Sequence, residues 1–372
     1  MTGNVETDEL TQAVLAHEDV ARYVQDADTR IRLDGYLTEL RTTQRYKFYR
    51  ALQHPLYPIL RKVERITEHI DRARGVLADG HVVYVSNHKS HLDYLIELLM
   101  LDEQGVRPPL IAAGINLFGG ALGLIHRHVT GAIPIRRGSK DPVYLATLKA
   151  YVAEILKRRD LLYYAEGGRS YTGELKPPKT GLLQAALQAD RTNLYVVPMA
   201  IAYDIVLEEK MITREATQKR KRPFAQEVAE MIRHAVGYES RAFVTFGHPI
   251  PLVEYDPAAR RGLVALAHRI QHEVGLLHKV LPTALVASAL TTSMTRSELA
   301  ARIDHRLALL SAQQANLAVT SGHEAVDDGV GRLVDRGVLV TEGHRIRVRD
   351  RVTLRYYART LQHLLPLRRS TH

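Results

Sequence analysis

The sequence predicts an α/β protein: a mainly parallel sheet flanked by helices, with helical regions at both ends. Three observations predict it. From Val82 to Phe246, short apolar runs alternate with stretches whose apolar residues recur every third or fourth position. Strands that alternate with helices form layered structures around a mainly parallel sheet. Before residue 81 and after Pro257 the helical spacing dominates.

In chain order, Glu9 to Val24 and Ile31 to Leu52 have helical spacing. His54-Pro55 and Tyr57-Pro58 interrupt it, and Ile59 to Ile70 resumes it with Arg, Lys and Glu between the apolar positions. Six runs read as strands: Val82 to Val85, Leu110 to Ala113, Ile133 to Ile135, Leu161 to Ala165, Leu194 to Ala200 and Ala242 to Phe246. Between them, Leu92 to Leu101, Tyr144 to Lys157 and Leu182 to Ala189 read as helices, and Leu263 to Val274 and Leu299 to Leu310 follow further on. Glu324 to Val334, then Val338 to Thr341 and Ile346 to Val348, read as a helix and a small hairpin, a winged-helix outline. The expected division is a helical region over 1–80, an α/β domain over 81–256, and a helical region with a hairpin over 257–372.

A chain of 372 residues can bury one large core or two modest ones. It has no cysteine, which excludes disulfides, a cysteine-based zinc site and a cysteinyl acyl-enzyme. The formal charge of +10 points to anionic partners: a phosphorylated substrate, the phosphates of coenzyme A, anionic lipid or nucleic acid. Basic residues are densest from Arg41 to Arg74 and at Lys219-Arg220-Lys221-Arg222. The first twenty residues carry several acids and no apolar block, so no signal peptide is expected. The longest apolar stretch, Leu110 to Ile125, falls short of the ~20 residues a span needs. A peripheral placement, at the cytoplasmic face of the cell membrane, is therefore expected.

The run Asn87-His88-Lys89-Ser90-His91-Leu92-Asp93-Tyr94 stands where the first strand gives way to a helix. A spacing of five turns through about 500° on a helix, so His88 and Asp93 meet only if His88 lies on the turn and Asp93 in the first helical turn. A histidine oriented by a carboxylate is a general base for a hydroxyl proton near neutral pH. Ser90-x-x-Asp93 is also a capping box, in which Asp93 ties off the helix N-terminus.

Further blocks follow in order: Ala112 to Phe118, Gly131-Ala132-Ile133-Pro134-Ile135-Arg136-Arg137, Tyr164 to Gly173 with Glu166-Gly167-Gly168-Arg169-Ser170 inside it, Pro177-Pro178-Lys179-Thr180-Gly181, Val196-Val197-Pro198, and Leu354 to Leu365. With His88-x-x-x-x-Asp93, these blocks resemble the glycerolipid acyltransferase family, in the branch that acylates glycerol 3-phosphate or dihydroxyacetone phosphate at the first hydroxyl. The resemblance is close from about Pro55 to Pro251. It implies direct acyl transfer from a thioester, acyl-CoA or acyl carrier protein, to glycerol 3-phosphate, giving lysophosphatidic acid, with His88 as base and Asp93 holding the imidazole. It also implies that the blocks around Arg136, Arg169 and Lys179 form the acceptor site.

The residues agree with such a site. Arginine's planar fork suits a phosphate dianion, and glycines allow backbone amides to approach one. Arg169 is the first candidate, Arg136 and Lys179 the next, with Arg137 beside them and Gly167, Gly168 and Ser170 in the loop. Glu166 has three open roles: orienting Arg169, bonding the acceptor's free hydroxyl, or bracing the loop. Gly173 to Thr180 has P-loop spacing, but Pro178 stands where the second glycine is required. His88-x-x-His91 and His126-x-His128 lack a matching carboxylate set, so no metal and no cofactor are expected. Two rival readings are a dihydroxyacetone-phosphate or lysophospholipid acyltransferase, and a nucleic-acid-binding protein using the winged-helix outline. Against the second, the candidate recognition helix carries Glu324, Asp327 and Asp328.

Overall fold

The computed structural model describes residues 2–45, 62–119, 123, 127–218 and 239–365. The Pro55 and Pro58 interruptions, Lys219 to Arg222, His126 and parts of the 31–52, 59–70 and 110–125 stretches lie outside the described residues.

Three helices open the chain: α1 (Thr2–Ala16), α2 (Glu18–Val24) and α3 (Ala27–Leu40). The expected 9–24 helix is thus broken at His17, whose backbone is extended. Asp26 caps α3 by accepting the Thr29 amide at 2.8 Å. α3 stops at Leu40, well short of the expected Leu52. There the Thr42 hydroxyl and Thr43 amide both turn to the Arg127 carbonyl, at 2.8 and 2.9 Å, and Gln44 bridges to Thr130.

Residues 59–70, expected to be helical, contain instead β1 (Val63–Glu68), so the region over 1–80 is not wholly helical. β1 lies parallel to β7 (Ser240–Phe246), in register from Val63↔Ser240 to Glu68↔Thr245. Val63, Ile66 and Thr67 are β-branched and suit an edge strand, and only the neighbouring strand decides between the two spacings. α4 (Asp71–Leu77) follows it.

The sheet is completed by β2 (His81–Ser86), β3 (Leu110–Gly114), β4 (Ala132–Ile135), β5 (Leu161–Tyr164), β6 (Leu194–Tyr203) and β8 (Ile250–Pro251). Its order is β1-β7-β6-β2-β5-β3-β4, with β8 beside β6. β2 to β6 are mutually parallel where they pair, while β7 and β8 run antiparallel to β6. All six expected strands are present, and β1 and β8 are additional. Parallel strands end on one edge, so the turns after β2, β3, β4 and β5 open on the same side.

Side chains alternate across the sheet and fill two cores. Val82, Tyr84 and Leu162 face α5 (Asp93–Glu103) and the C-terminal helices; Val83, Val85, Leu161 and Tyr163 face α6 (Pro142–Leu156), α7 (Gly181–Leu187) and α9 (Arg260–Leu277). The N-terminal helices pack on α6.

After α8 (Glu209–Gln218) and α9, the C-terminal region holds α10 (Pro282–Ala289), β9 (Ser293–Thr295), α11 (Arg296–Ala312), α12 (Gly322–Asp335), β10 (Leu339–Glu342), β11 (Arg345–Val348) and α13 (Arg351–Arg359). The expected hairpin is β10–β11, with β9 added against β11. Leu285, Leu299, Val326 and Tyr357 share one core with Val82 and Tyr84. α12, the recognition helix of the winged-helix reading, is turned inward. Asp328 meets Arg241 (2.5 Å), Arg332 meets Asp204 (3.0 Å) and Arg336 meets Glu209 (2.6 Å). A helix held this way against its own sheet does not present those side chains to a groove.

Candidate active site

β2 ends at Ser86, and Asn87 prolongs its pairing with β6 through its side chain. Its amide donates to the Ile201 carbonyl at 2.9 Å and accepts the Ile201 amide at 2.8 Å. The chain then turns, leaving His88 at the sheet's open edge and Asp93 as the first residue of α5. His88 Nδ1 and Asp93 Oδ2 are 2.8 Å apart. The same oxygen accepts the amides of Lys89 (2.6 Å) and Ser90 (2.9 Å), and Oδ1 accepts the Tyr203 hydroxyl at 2.7 Å. Asp93 therefore ties off the turn and orients the histidine at once; the two readings of the motif are not alternatives.

With Nδ1–H committed to Asp93, the free lone pair of His88 is on Nε2, toward the cleft that His88 lines. Burial pushes the imidazole pKa below its usual value, and the Asp93 hydrogen bond and charge oppose that shift without cancelling it. His88 is thus a neutral base at neutral pH. Its ring is stacked on Tyr164, with 4.1 Å between centroids and 10° between planes.

The loop after β5 carries the Glu166 to Ser170 block. Of the three roles open to Glu166, the structure shows bracing: Oε1 accepts the His88 amide at 3.1 Å and Oε2 the Lys176 amide at 3.2 Å. Burial raises its carboxyl pKa, opposed first by Lys89. Ser170 latches the loop, its amide donating to the His88 carbonyl (2.9 Å) and its hydroxyl to the Glu174 carbonyl (2.6 Å). Gly167 has φ +68°, a left-handed turn costly for other residues, and a side chain at Gly173 would meet the Tyr356 carbonyl oxygen. Replacing Glu166 by Leu strips two partly buried amides of their acceptor, at most about 1–3 kcal/mol each. A lowered melting temperature is expected in a thermal scan; an unchanged one would show the loop holding itself.

The cations divide differently from expectation. Arg136 borders the cleft, but its guanidinium is committed to Glu39 of α3, at 2.7 and 2.6 Å, between the rings of Tyr36 and Tyr144. Arg137 lies over Gly114 and Gly168, glycines that leave room for it. It has no hydrogen-bond or ion-pair partner among the described residues. Its pKa is held below the usual value, first by loss of solvent and also by nearby Arg169. Arg169 is buried, its guanidinium 5.4 Å from the Tyr171 ring centroid. Lys176, absent from the sequence expectations, donates to the carbonyls of Gly168 and Arg169; burial lowers its pKa, as do Arg137, Arg169 and Lys179. Cations that lower the pKa of Arg137 and Lys176 in this way mark a site for an anion.

The cleft has a volume of about 400 Å³. Arg137, Lys179, Gly167 and Gly168 line it near His88, and Ile135, Leu145, Leu148, Tyr163 and Leu182 supply its apolar part. One concavity thus joins a base, cations and an apolar groove. Among the described residues no cluster of three or more His, Asp or Glu could hold a metal ion, and no helix is long and apolar enough to cross a membrane.

Comparison with known proteins finds two matching family models. A family model described as acyltransferase covers residues 62–202, and one described as glycerol-3-phosphate acyltransferase C-terminal region covers 227–368. The chain belongs to the glycerolipid acyltransferase family. Similar curated proteins, each named glycerol-3-phosphate acyltransferase, include those of Aeromonas hydrophila (36% identity; 60% of this chain, 29% of that one), Actinobacillus succinogenes (39%; 50% and 24%) and Pasteurella multocida (30%; 81% and 41%). The chain therefore spans well under half the length of these relatives. A solved 1-acyl-sn-glycerophosphate acyltransferase from Thermotoga maritima aligns over 73% of this chain and 95% of that one, at 14% identity and TM-score 0.39, too loosely to carry an argument.

Within this chain the first model takes in β1 to β6 and the whole cleft, and the second takes in α9 to α13. Lys176, Tyr203 and Glu97 also neighbour the site and were not among the residues expected there. Lys176 had a signal, standing three residues before Lys179 in the same proline-rich loop. Tyr203 had none, since it reaches Asp93 across 110 residues of chain.

Proposed function

We propose that this acyltransferase moves a long-chain acyl group from a thioester, acyl-CoA or acyl carrier protein, to the 1-hydroxyl of glycerol 3-phosphate, giving lysophosphatidic acid. The observation that carries the reading is the His88–Asp93 pair opening on a cleft with cations near the base and an apolar groove beside it. The names of the relatives above support the choice of acceptor.

His88 Nε2 takes the hydroxyl proton as the oxygen attacks the thioester carbonyl. Asp93 stabilises the imidazolium that forms. The tetrahedral intermediate collapses, the C–S bond breaks, and the proton passes from His88 to the leaving thiolate. No protein nucleophile is needed. The acceptor phosphate is set against Arg137, Arg169, Lys176 and Lys179, with Arg137 taking the place first given to Arg136. The acyl chain follows Ile135, Leu145 and Leu148. The reaction runs at a membrane surface, the cytoplasmic face of the cell membrane, with basic charge toward anionic lipid.

Purified protein with labelled palmitoyl-CoA, with and without anionic vesicles, is to be offered glycerol 3-phosphate, dihydroxyacetone phosphate and lysophosphatidic acid. Labelled lysophosphatidic acid from the first acceptor is expected to dominate, faster on vesicles. Preferential labelling of another acceptor would displace the reading.

A further inference from the structure

One buried carboxyl takes no part in the chemistry above. Glu97 lies on α5 one helical turn beyond Asp93, wholly buried. Its Oε1 is 2.5 Å from Ser86 Oγ, and its Oε2 is 2.8 Å from the Tyr164 hydroxyl. Ser86 ends β2, two residues before His88. Tyr164 ends β5 and carries the ring on which His88 is stacked.

We propose that Glu97 is a positioning residue of the His88 base, holding through Tyr164 the ring beneath the imidazole and through Ser86 the strand end from which His88 departs. This deepens the acyltransferase reading, and its kinetic test rests on that reading.

In this proposal Glu97 plays the role uncharged. The titratable groups facing it are Asp93 on its own helix, Tyr164 from β5 and Tyr203 from β6. Among the described residues no Lys, Arg or His pairs with it. Burial first, and then the Asp93 charge, push its carboxyl well above the usual range, against the pull of the two hydroxyls. A protonated carboxyl donates one hydrogen bond and accepts another. It therefore serves both partners, giving its proton to Ser86 Oγ and accepting from Tyr164. Charged, it would set a second anion beside Asp93 with no cation to balance it, at heavy cost in a buried place. It would also raise the histidine's pKa and spoil a neutral base. Uncharged, it leaves Asp93 as the carboxylate that acts on His88.

The kinetic test compares Glu97→Leu, Glu97→Gln and Tyr164→Phe. A base whose ring loses its support is misplaced by a fraction of an ångström, so Glu97→Leu is expected to lower kcat about 10- to 100-fold with both KM values little moved. Glu97→Gln, neutral and of the same shape, is expected to restore kcat to within about threefold of the parent. Tyr164→Phe removes only the link and is expected to fall between them; it keeps the test decisive if Glu97→Leu does not fold. The second measurement needs no turnover: the His88 imidazole is titrated by NMR in the parent and in Glu97→Gln. Coincident curves are expected. A fall in the histidine pKa by about one unit in the Gln variant would show that Glu97 carries charge and would overturn the proposal. So would parent-like kcat in both Glu97→Leu and Tyr164→Phe. If the parent transfers no acyl group, the functional reading fails, while the NMR comparison still decides the state of Glu97.

Discussion

Replacing His88 by alanine is expected to abolish acyl transfer while leaving the thermal transition nearly in place. The residue lies on a turn, and its ring is stacked on Tyr164 without being needed to fill a core. General-base catalysis contributes roughly 10²- to 10⁴-fold, and loss on that scale is the measurable result. Asp93→Asn is more informative. Asp93 Oδ2 faces three N–H donors, from His88, Lys89 and Ser90, whereas Oδ1 faces a single hydroxyl, that of Tyr203. An asparagine there turns its oxygen to the three N–H groups and its amide to Tyr203, whose hydroxyl can rotate to accept. The tautomer survives, but the charge that stabilises the imidazolium does not. A loss between about 10² and 10⁴ in kcat is expected, the upper value being that of triads whose tautomer is also spoiled. The pH profile adds a sign. Activity requires neutral His88, so kcat/KM falls as pH drops through a pKa that burial holds below the usual histidine value. Because Asp93 raises that pKa, the acid limb of Asp93→Asn is expected to move to still lower pH. Near-parental activity in His88→Ala would end the mechanism.

Arg137→Ala is expected to lower kcat/KM for glycerol 3-phosphate about 30-fold to several thousand-fold, the effect of losing a charge-assisted contact of ~2–5 kcal/mol. Arg169→Lys keeps the charge and loses the fork, so it should raise the glycerol 3-phosphate KM, with Arg169→Ala worse and the acyl-CoA KM little changed. Arg136→Ala is the contrast. It breaks an exposed pair with Glu39, costing at most about 1 kcal/mol of stability, with kcat/KM held within about threefold. Equal losses from Arg136→Ala and Arg137→Ala would show that the pairing with Glu39 does not remove Arg136 from the acceptor site. A loss from Arg169→Ala that is the same toward a phosphate-free hydroxyl acceptor would leave Arg169 as a brace of its loop.

Much of this was legible in the sequence because it is local. Strand and helix periodicities over Val82 to Phe246 depend on neighbours within a few residues, and all six strands fall where those patterns place them. The turn that joins His88 to Asp93 is equally local, closed by amides three and four residues before the aspartate. β1 was not legible: its spacing fits a helix, and only β7, some 180 residues further along the chain, offers the ladder that makes it a strand. Adjacent arginines were not separable either, since sequence cannot tell which guanidinium finds Glu39 on a distant helix.

By itself the sequence determined the class of fold, the pairing of base and carboxylate, and the absence of a thiol, since each follows from residue identity or short-range backbone geometry. The tertiary structure alone decided which cations share the cleft, that Glu166 braces two loops, and that α12 faces inward. It also placed a buried acid behind the histidine. All of these depend on side chains from strands and helices far apart in the chain, whose charges and hydrogen bonds interact strongly only once folding has removed the water between them.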